Sequence, residues 1–253
     1  QSPDIYFASV STHGVLMGFV LTTFFIMGFG YLVATTSLKM PLSHPKWALA
    51  GFLVSALGTL LAAIPLVLGK ASVLYTFYPP VQANFFFYLG AALLVVGSWF
   101  WAVIMVVMFG QWKKLHPGAT VPLPMFATTA NAILWLWTSV GVALEVVFQL
   151  IPWALGWIDT IDVGLARTLF AWTLHPIVYF WLIPAYIVLY SLVPKAAGGT
   201  LFSHDLARLA FVLLLVFGLP IGFHHLYMDP EHGQGFKMIH AVGTFFVMLP
   251  TLM

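Results

Sequence analysis

Long apolar segments alternate with short polar ones along almost the whole chain. The apolar segments run at roughly 7–36, 47–69, 84–111, 125–152, 164–193, 206–228 and 236–253. A helix needs about 20 apolar residues to cross a bilayer, and each segment is close to that length or longer. We therefore expect an all-α integral membrane protein, a bundle of about seven transmembrane helices forming a single domain over residues 1–253.

The composition excludes a soluble globular protein. Hydrophobic residues make up 62% of the 253 residues and charged residues only 6%, whereas soluble domains carry roughly a quarter of charged residues. The absence of cysteine excludes disulfides, thiolate metal sites and cysteine nucleophiles in this chain. The net charge of +2 is too small to suggest a nucleic-acid partner, so the expected partner is the lipid bilayer.

Lysine and arginine predict the orientation in the membrane. The loops after the first, third and fifth segments, with their helix edges, hold most of these residues, namely Lys39, Lys46, Lys113, Lys114, Lys195 and Arg208. The opposite side holds Lys70, Arg167 and Lys237. Because cytoplasmic loops are enriched in positive charge, we expect the N-terminus on the outer side.

Histidines at membrane depth are the main candidates for chemistry, because ionisable groups are costly there. His224 and His225 follow a run in which Pro220 and two glycines should distort a helix. The distortion would let adjacent imidazoles face one point, and the alternative is a hydrogen-bonding pair at a helix end. His175 lies within the fifth segment, and three neutral imidazoles suit a copper or zinc site.

Three tyrosines follow His175 along the same predicted helix. Tyr179 is four residues on, so its ring should lie beside His175. Tyr186 and Tyr190 continue that face toward the cytoplasmic end, over a rise of about 22 Å. Hydroxyls arranged in this way indicate a proton path, although a tyrosine stripe that only packs between helices gives the same spacing.

Two other ionisable residues lie within predicted spans. His13 is followed by Gly14, which would let a flat macrocycle approach the backbone, so His13 suits a haem axial ligand. The alternative is a hydrogen-bonded structural histidine. Glu145 is the one acid well inside a span, and it is either neutral and hydrogen-bonded to a neighbouring helix or part of a proton relay.

Five motifs together resemble subunit I of the haem–copper oxidases, and most closely the B family of ba-type cytochrome c oxidases. They are THGVL at 12–16, VLYTFYPP at 73–80, ARTLF at 166–170, HPIVYFW at 175–181 and GFHH at 222–225. Ile177 matters because the larger A family usually has an acid at this point. The resemblance implies that the seven predicted helices form part of the larger subunit I fold.

The resemblance implies a role for each matching residue at the metal sites. His175, His224 and His225 would ligate the active-site copper. Tyr179 would be covalently linked to His175 and would supply an electron and a proton. His13 would be one axial ligand of the low-spin haem iron.

The resemblance extends to the proton path and to the cofactors. Tyr186 and Tyr190 would belong to the single proton channel of the B family, with Thr251 as a further member, and Tyr75 would contact a cofactor. The complete subunit would hold copper, a low-spin haem and a high-spin haem. Its partners would be a subunit II carrying a dicopper electron-entry site and cytochrome c or a similar small redox protein.

One feature of the family is absent from this sequence. Subunits of this kind carry a later His-x-His helix that ligates both haems, and no His-x-His occurs here. The chain also starts at Gln1 and stops at Met253 within an apolar stretch. We therefore expect an internal fragment that is catalytically inactive on its own.

The implied function is that of a catalytic subunit of a terminal respiratory oxidase. It would reduce O2 to water with coupled proton translocation, in the inner (plasma) membrane of a prokaryote. A nitric-oxide reductase of the same superfamily is an alternative, although Tyr179 argues against it. A cofactor-free seven-helix transporter and a rhodopsin-like protein are others, but the latter needs a lysine in mid-membrane and Lys237 lies at a helix start.

The metal-site hypothesis makes a geometric prediction. If His175, His224 and His225 share one metal, their nearest ring nitrogens should lie within about 4 Å of one another, because each metal–nitrogen bond is about 2 Å. Separations beyond about 8 Å would exclude the site.

Overall fold

The computed structural model describes residues 2–253, and this part of the chain is helical with no β-strand. Six helices are long and apolar enough to cross a membrane: α1 (Pro3–Leu38), α2 (Pro45–Val67), α3 (Phe85–Leu115), α4 (Leu123–Ala154), α5 (Val163–Ala196) and α7 (Gln234–Leu252). Between α5 and α7 lie the shorter helix α6 (His204–Gly218) and a 3-10 turn (Ile221–Leu226). The protein is a multi-pass membrane protein.

The apolar pattern predicts these helices to within a few residues, with one exception. The sixth segment, 206–228, is not one continuous helix, because α6 stops at Gly218 and the chain continues as the 3-10 turn. Pro220 lies between the two parts, where a missing backbone N–H prevents the α-helix from continuing. The distortion expected at this proline is confirmed.

Two other helices change their hydrogen-bond pattern within the membrane. Helix α1 contains a π-helical stretch over Gly14–Leu21, and α4 contains another over Val146–Leu150. Such π-helical turns are uncommon and occur frequently at functional sites. In this chain they directly follow His13 and Glu145, two of the ionisable residues that lie within the membrane.

Helices α2 and α3 are in close antiparallel contact through small residues. A Cβ added at Gly58 would lie 2.6 Å from the carbonyl oxygen of Gly90, and one at Gly51 would lie 2.8 Å from that of Gly97. Between them, the hydroxyl of Ser55 donates to the carbonyl oxygen of Leu94. Because lipid gives no hydrophobic drive for helix association, such close backbone packing is what stabilises this pair.

Helix α4 lies at the centre of the bundle and is the most buried of the long helices. Tryptophan and serine side chains form hydrogen bonds between α4 and the neighbouring helix α3. Trp135 donates to Ser98 and Trp99 donates to Ser139, each at 2.7 Å. The outward faces of the other helices are apolar, as lipid contact or further protein contact requires.

The α2–α3 contact predicts the effect of a single methyl group. Gly58→Ala places a Cβ against a backbone oxygen that cannot move aside, so the complete subunit should lose about 1–3 kcal/mol of stability. Gly28→Ala is the matched control, because Gly28 is in a helix with nothing within 4 Å of the added Cβ. Thermal unfolding in detergent measures both, and equal midpoints would contradict this view of the interface.

Candidate metal centre

His175 lies at an interruption in helix α5. The regular helix runs over Val163–Leu174 and again over Pro176–Ala196, with His175 between them. Pro176 has no backbone N–H and cannot complete the helical ladder at this point. The missing hydrogen bond therefore follows from the His-Pro dipeptide, while His175 itself keeps helical backbone angles (φ -79°, ψ -43°).

His224 and His225 lie on the 3-10 turn that follows Pro220. This turn packs against α5 at Gly222, where an added Cβ would collide with the carbonyl oxygen of Ala171 and lie 3.2 Å from the Cδ of Pro176. Glycine is needed at 222 because the turn approaches the backbone of α5 so closely. The same contact brings the two histidines to the break that carries His175.

The three imidazoles converge on one point. One nitrogen from each of His175, His224 and His225 lies within 4.8 Å of the others. This spacing exceeds the 4 Å expected for a shared metal by at most about 0.8 Å, and it is well below the distance that would exclude a site. The Nε2 atom of His175 is buried and has no hydrogen-bond partner among residues 2–253.

These features fit a bound metal ion. An imidazole nitrogen that is buried and unpaired is a free ligand, and three neutral imidazoles without a thiolate or carboxylate suit copper or zinc. Among the residues that the structure describes, this is the one group of histidine and acidic side chains arranged to hold a metal ion.

Tyr179 lies beside the histidine cluster. Its ring centroid is 4.9 Å from that of His175, in an edge-on arrangement, and the tyrosine is almost fully buried. The predicted adjacency of the two rings on one helix face is therefore confirmed.

Thr244 of α7 contacts the cluster and was not singled out by the sequence. Its hydroxyl lies 3.0 Å from Nδ1 of His224 and donates to the carbonyl oxygen of His240. With its hydroxyl proton used in this way, Thr244 accepts a hydrogen bond from Nδ1 of His224, which leaves Nε2 free to bind a metal. No local motif marks this residue, because the contact spans 20 positions.

The remaining tyrosines of the stripe form a second pair below the site. The rings of Tyr186 and Tyr190 stack with centroids 6.4 Å apart, and both side chains are half-buried. Thr251, near the end of α7, lies beside the phenol of Tyr179 and donates to the carbonyl oxygen of Val247 at 3.0 Å. Tyr186 and Tyr190 pack against the same apolar cluster that contains Tyr179.

His13 lies at the edge of a large cavity. The cavity has a volume of about 1290 Å³ and is lined mainly by α1 and by the loop after α2. The interpretation of Gly14 changes, since an added Cβ there would meet the side chain of Tyr75 at 3.2 Å. Gly14 therefore accommodates Tyr75 rather than a macrocycle, while His13 itself is exposed to the cavity, as a haem ligand requires.

Glu145 lies away from the histidine cluster. Its side chain is completely buried in helix α4, and neither carboxyl oxygen has a hydrogen-bond partner within the described chain. The hydrogen bond to a neighbouring helix that the sequence suggested is not formed by any of residues 2–253. The carboxyl group does not join the metal-binding cluster.

A polar cluster at the start of α5 was also missed by sequence reasoning. Arg167 forms an ion pair of 2.7 Å with Asp229, and its guanidinium lies 5.2 Å from the ring centroid of Tyr78. Burial raises the pKa of Tyr78 to about 12, and the Arg167 charge opposes that change. The pair ties the start of α5 to the loop that follows the two histidines.

Comparison with known proteins supplies the family. The family model for cytochrome c and quinol oxidase polypeptide I matches residues 1–253. The chain belongs to this family. The predicted resemblance to haem–copper oxidase subunit I is confirmed.

Relatives of this oxidase family differ in how closely they match. The cytochrome c oxidase subunit 1 of Thermus thermophilus is 41% identical over 98% of this chain. The ubiquinol oxidase subunit 1 of Acetobacter aceti is 24% identical over 98% of it. A solved heme-copper terminal oxidase dimer superimposes with a TM-score of 0.94 at 46% identity.

The chain spans less than half the length of these relatives. It covers 44% of the Thermus subunit and 43% of the solved oxidase chain. This family membership supports the oxidase interpretation over a rhodopsin-like protein or a transporter without cofactors. Membership also implies copper and haem cofactors for the complete protein.

The contact at Gly222 gives a prediction about metal content. Gly222→Ala should push the 3-10 turn away from α5 and lower the copper content of the complete oxidase by about tenfold or more at limiting copper. Gly218→Ala is the matched control, since its Cβ would meet Leu134 and Tyr179 at 3.4 and 3.5 Å, which are ordinary contacts. Elemental analysis checks this, and full copper in Gly222→Ala would show that the turn does not position the ligands.

Proposed function

We propose that this chain is the copper-binding part of the catalytic subunit of a terminal respiratory oxidase of the B family. The complete subunit reduces O2 to water and couples the reaction to proton translocation. The observation that carries the proposal is the cluster of His175, His224 and His225 with the phenol of Tyr179 beside it.

The three histidines would hold the copper through their ring nitrogens. Hydrogen bonding of Nδ1 of His224 to Thr244 supports ligation through the opposite nitrogen. When bound, copper and haem supply the electron transfer and O2 activation, while the protein sets geometry and proton access. Covalent linkage of Tyr179 to His175 would fix the phenol at that point.

Tyr179 would supply a hydrogen atom, that is, one electron and one proton, to the reacting oxygen. Its position against His175 supports this role, and no other phenol contacts that imidazole within the described residues. Tyr186, Tyr190 and Thr251 lie farther along α5 and α7, so they would pass protons toward Tyr179 from the cytoplasmic side.

His13 would be an axial ligand of the low-spin haem in the cavity that it lines. Tyr75, which packs on Gly14, would form part of the wall of that site. The remaining haem-iron ligands would come from the rest of the subunit. The expected partners are a subunit II with a dicopper electron-entry site and cytochrome c or a similar small redox protein.

The proposed location is the plasma membrane of a prokaryote, with the N-terminus of this chain on the outer side. The distribution of Lys and Arg among the loops supports this orientation. It puts the Arg167–Asp229 pair outside and the Tyr186–Tyr190 pair toward the cytoplasm.

Tyr179→Phe tests the proposed chemistry. The change keeps the ring and removes the hydroxyl, so multiple turnover of the complete oxidase should fall by about a hundredfold or more even with excess reductant. Tyr186→Phe is the comparison variant, which should slow proton-coupled steps and leave the O2-binding spectrum of the reduced enzyme almost unchanged. Stopped-flow spectroscopy and oxygen consumption measure both effects.

Near-normal turnover of Tyr179→Phe would overturn the oxidase mechanism for this helix. That result would favour the nitric-oxide reductase alternative, because the site of that enzyme uses non-haem iron and no cross-linked tyrosine. Metal analysis of the complete subunit separates the two, since the oxidase requires copper at the three histidines and the reductase requires iron.

Glu145→Gln tests whether the buried acid takes part in proton transfer. The side chain lies outside the histidine cluster, so we expect turnover within severalfold of the parent. Oxygen consumption by the complete oxidase measures this change. A loss of about a hundredfold, equivalent to about 2.7 kcal/mol in activation free energy, would show that protons pass through Glu145.

A further inference from the structure

Four polar atoms lie unpaired in the core of helix α4. Glu145 is 0% exposed and Gln149 is 8% exposed. Both carboxyl oxygens of Glu145 and both amide atoms of Gln149 have no hydrogen-bond partner among residues 2–253. This chain alone encloses them, so their burial does not depend on any further part of the protein.

The two side chains share one face of the helix. They are four residues apart, which is close to one turn of either an α-helix or the wider π-turn, so both side chains project from nearly the same face. The burial pattern agrees, because Glu145 and Gln149 are buried whereas Val147 and Phe148 between them are exposed. The π-helical turn over Val146–Leu150 lies at this point, and Val146 belongs to the surrounding apolar cluster.

The surroundings exclude a charged carboxylate with a protein counterion. The one ion pair formed within the described chain is Arg167–Asp229, and it does not include Glu145. A buried carboxylate without a partner is strongly destabilising, so Glu145 is a neutral acid that can both donate and accept hydrogen bonds.

We propose that Glu145 and Gln149 form an internal water-binding site, in which ordered water bridges the neutral carboxyl group and the side-chain amide. Buried water typically makes two to four hydrogen bonds to otherwise unpaired polar groups, and these side chains offer both donors and acceptors. A divalent cation is disfavoured, since Ca²⁺ takes about 6–8 oxygen ligands and this face offers three side-chain oxygens at most.

The site gives the π-helical turn of α4 a role independent of the metal centre. Water held at Glu145 and Gln149 joins the two side chains without a direct bond, while burial without a counterion keeps the acid neutral. The proposal does not depend on the oxidase function, because neither residue belongs to the histidine cluster or the tyrosine stripe.

High-resolution electron cryo-microscopy of the complete oxidase tests the site directly. We expect density for ordered water within hydrogen-bond distance of both Glu145 and Gln149, and its loss in the double variant Glu145→Leu/Gln149→Leu. Absence of that density in the parent, a direct bond between the two side chains, or a metal ion between them would overturn the proposal.

Thermal unfolding of the same enzyme gives a second, independent test. Glu145→Leu and Gln149→Leu should each lower the midpoint, because each leaves the other side chain and the water with fewer partners. The double variant removes all these polar atoms, so its loss should be smaller than the sum of the single losses. A loss equal to that sum or larger would contradict a shared site.

The control pair combines Gln149→Leu with Thr138→Val. Thr138 is buried in the same helix, but its hydroxyl already donates to the carbonyl oxygen of Leu134 at 2.7 Å. The stability lost in Thr138→Val should therefore add to the stability lost in Gln149→Leu.

Infrared spectroscopy tests the protonation state of Glu145. The carbonyl band of a protonated carboxylic acid should be present in the parent and absent in Glu145→Gln. A carboxylate band in the parent instead would contradict a neutral Glu145.

Discussion

The contact between α4 and α5 depends on the need to satisfy backbone polar groups that proline leaves unpaired in the membrane. No water is available in the hydrocarbon core, so each freed group needs a protein partner. Pro184 cannot donate to the carbonyl oxygen of Phe180, and the amide of Asn131 donates to that oxygen instead at 3.1 Å. On the Pro184 side of His175, α4 thus supplies the hydrogen-bond donor that α5 lacks.

A second set of hydrogen bonds joins α4 and α5 on the other side of His175. The hydroxyl of Thr173 accepts from the backbone N–H of Val142 and donates to the carbonyl oxygen of Thr138. These two groups are the pair that a regular helix joins directly, so the threonine is inserted into the ladder of α4. His175 therefore lies between two sets of interhelical hydrogen bonds.

The sequence predicts this arrangement only in part. Apolar segment lengths give the helices, Pro220 gives the break after α6, and a spacing of four residues puts Tyr179 beside His175. These features depend on residues near one another in the chain. The hydrogen bond of Thr244 to His224, the Arg167–Asp229 pair and the glycine contact at Gly222 join distant segments, and no local pattern specifies which residues meet.

The π-helical stretches change the helical register of α1 and α4 directly after His13 and Glu145. A π-turn inserts an extra residue into the helix and rotates everything after it relative to a regular α-helix. At Gly14, the expectation of a macrocycle rested on its position next to His13, whereas the structure packs Gly14 against Tyr75 of a distant loop. In α5 the change is made by prolines, whose positions can be read from the sequence, and there the predicted order of His175 and Tyr179 is correct. Whether a membrane helix can be read from its sequence thus depends on whether its irregularity is caused by a proline or by contacts from other helices.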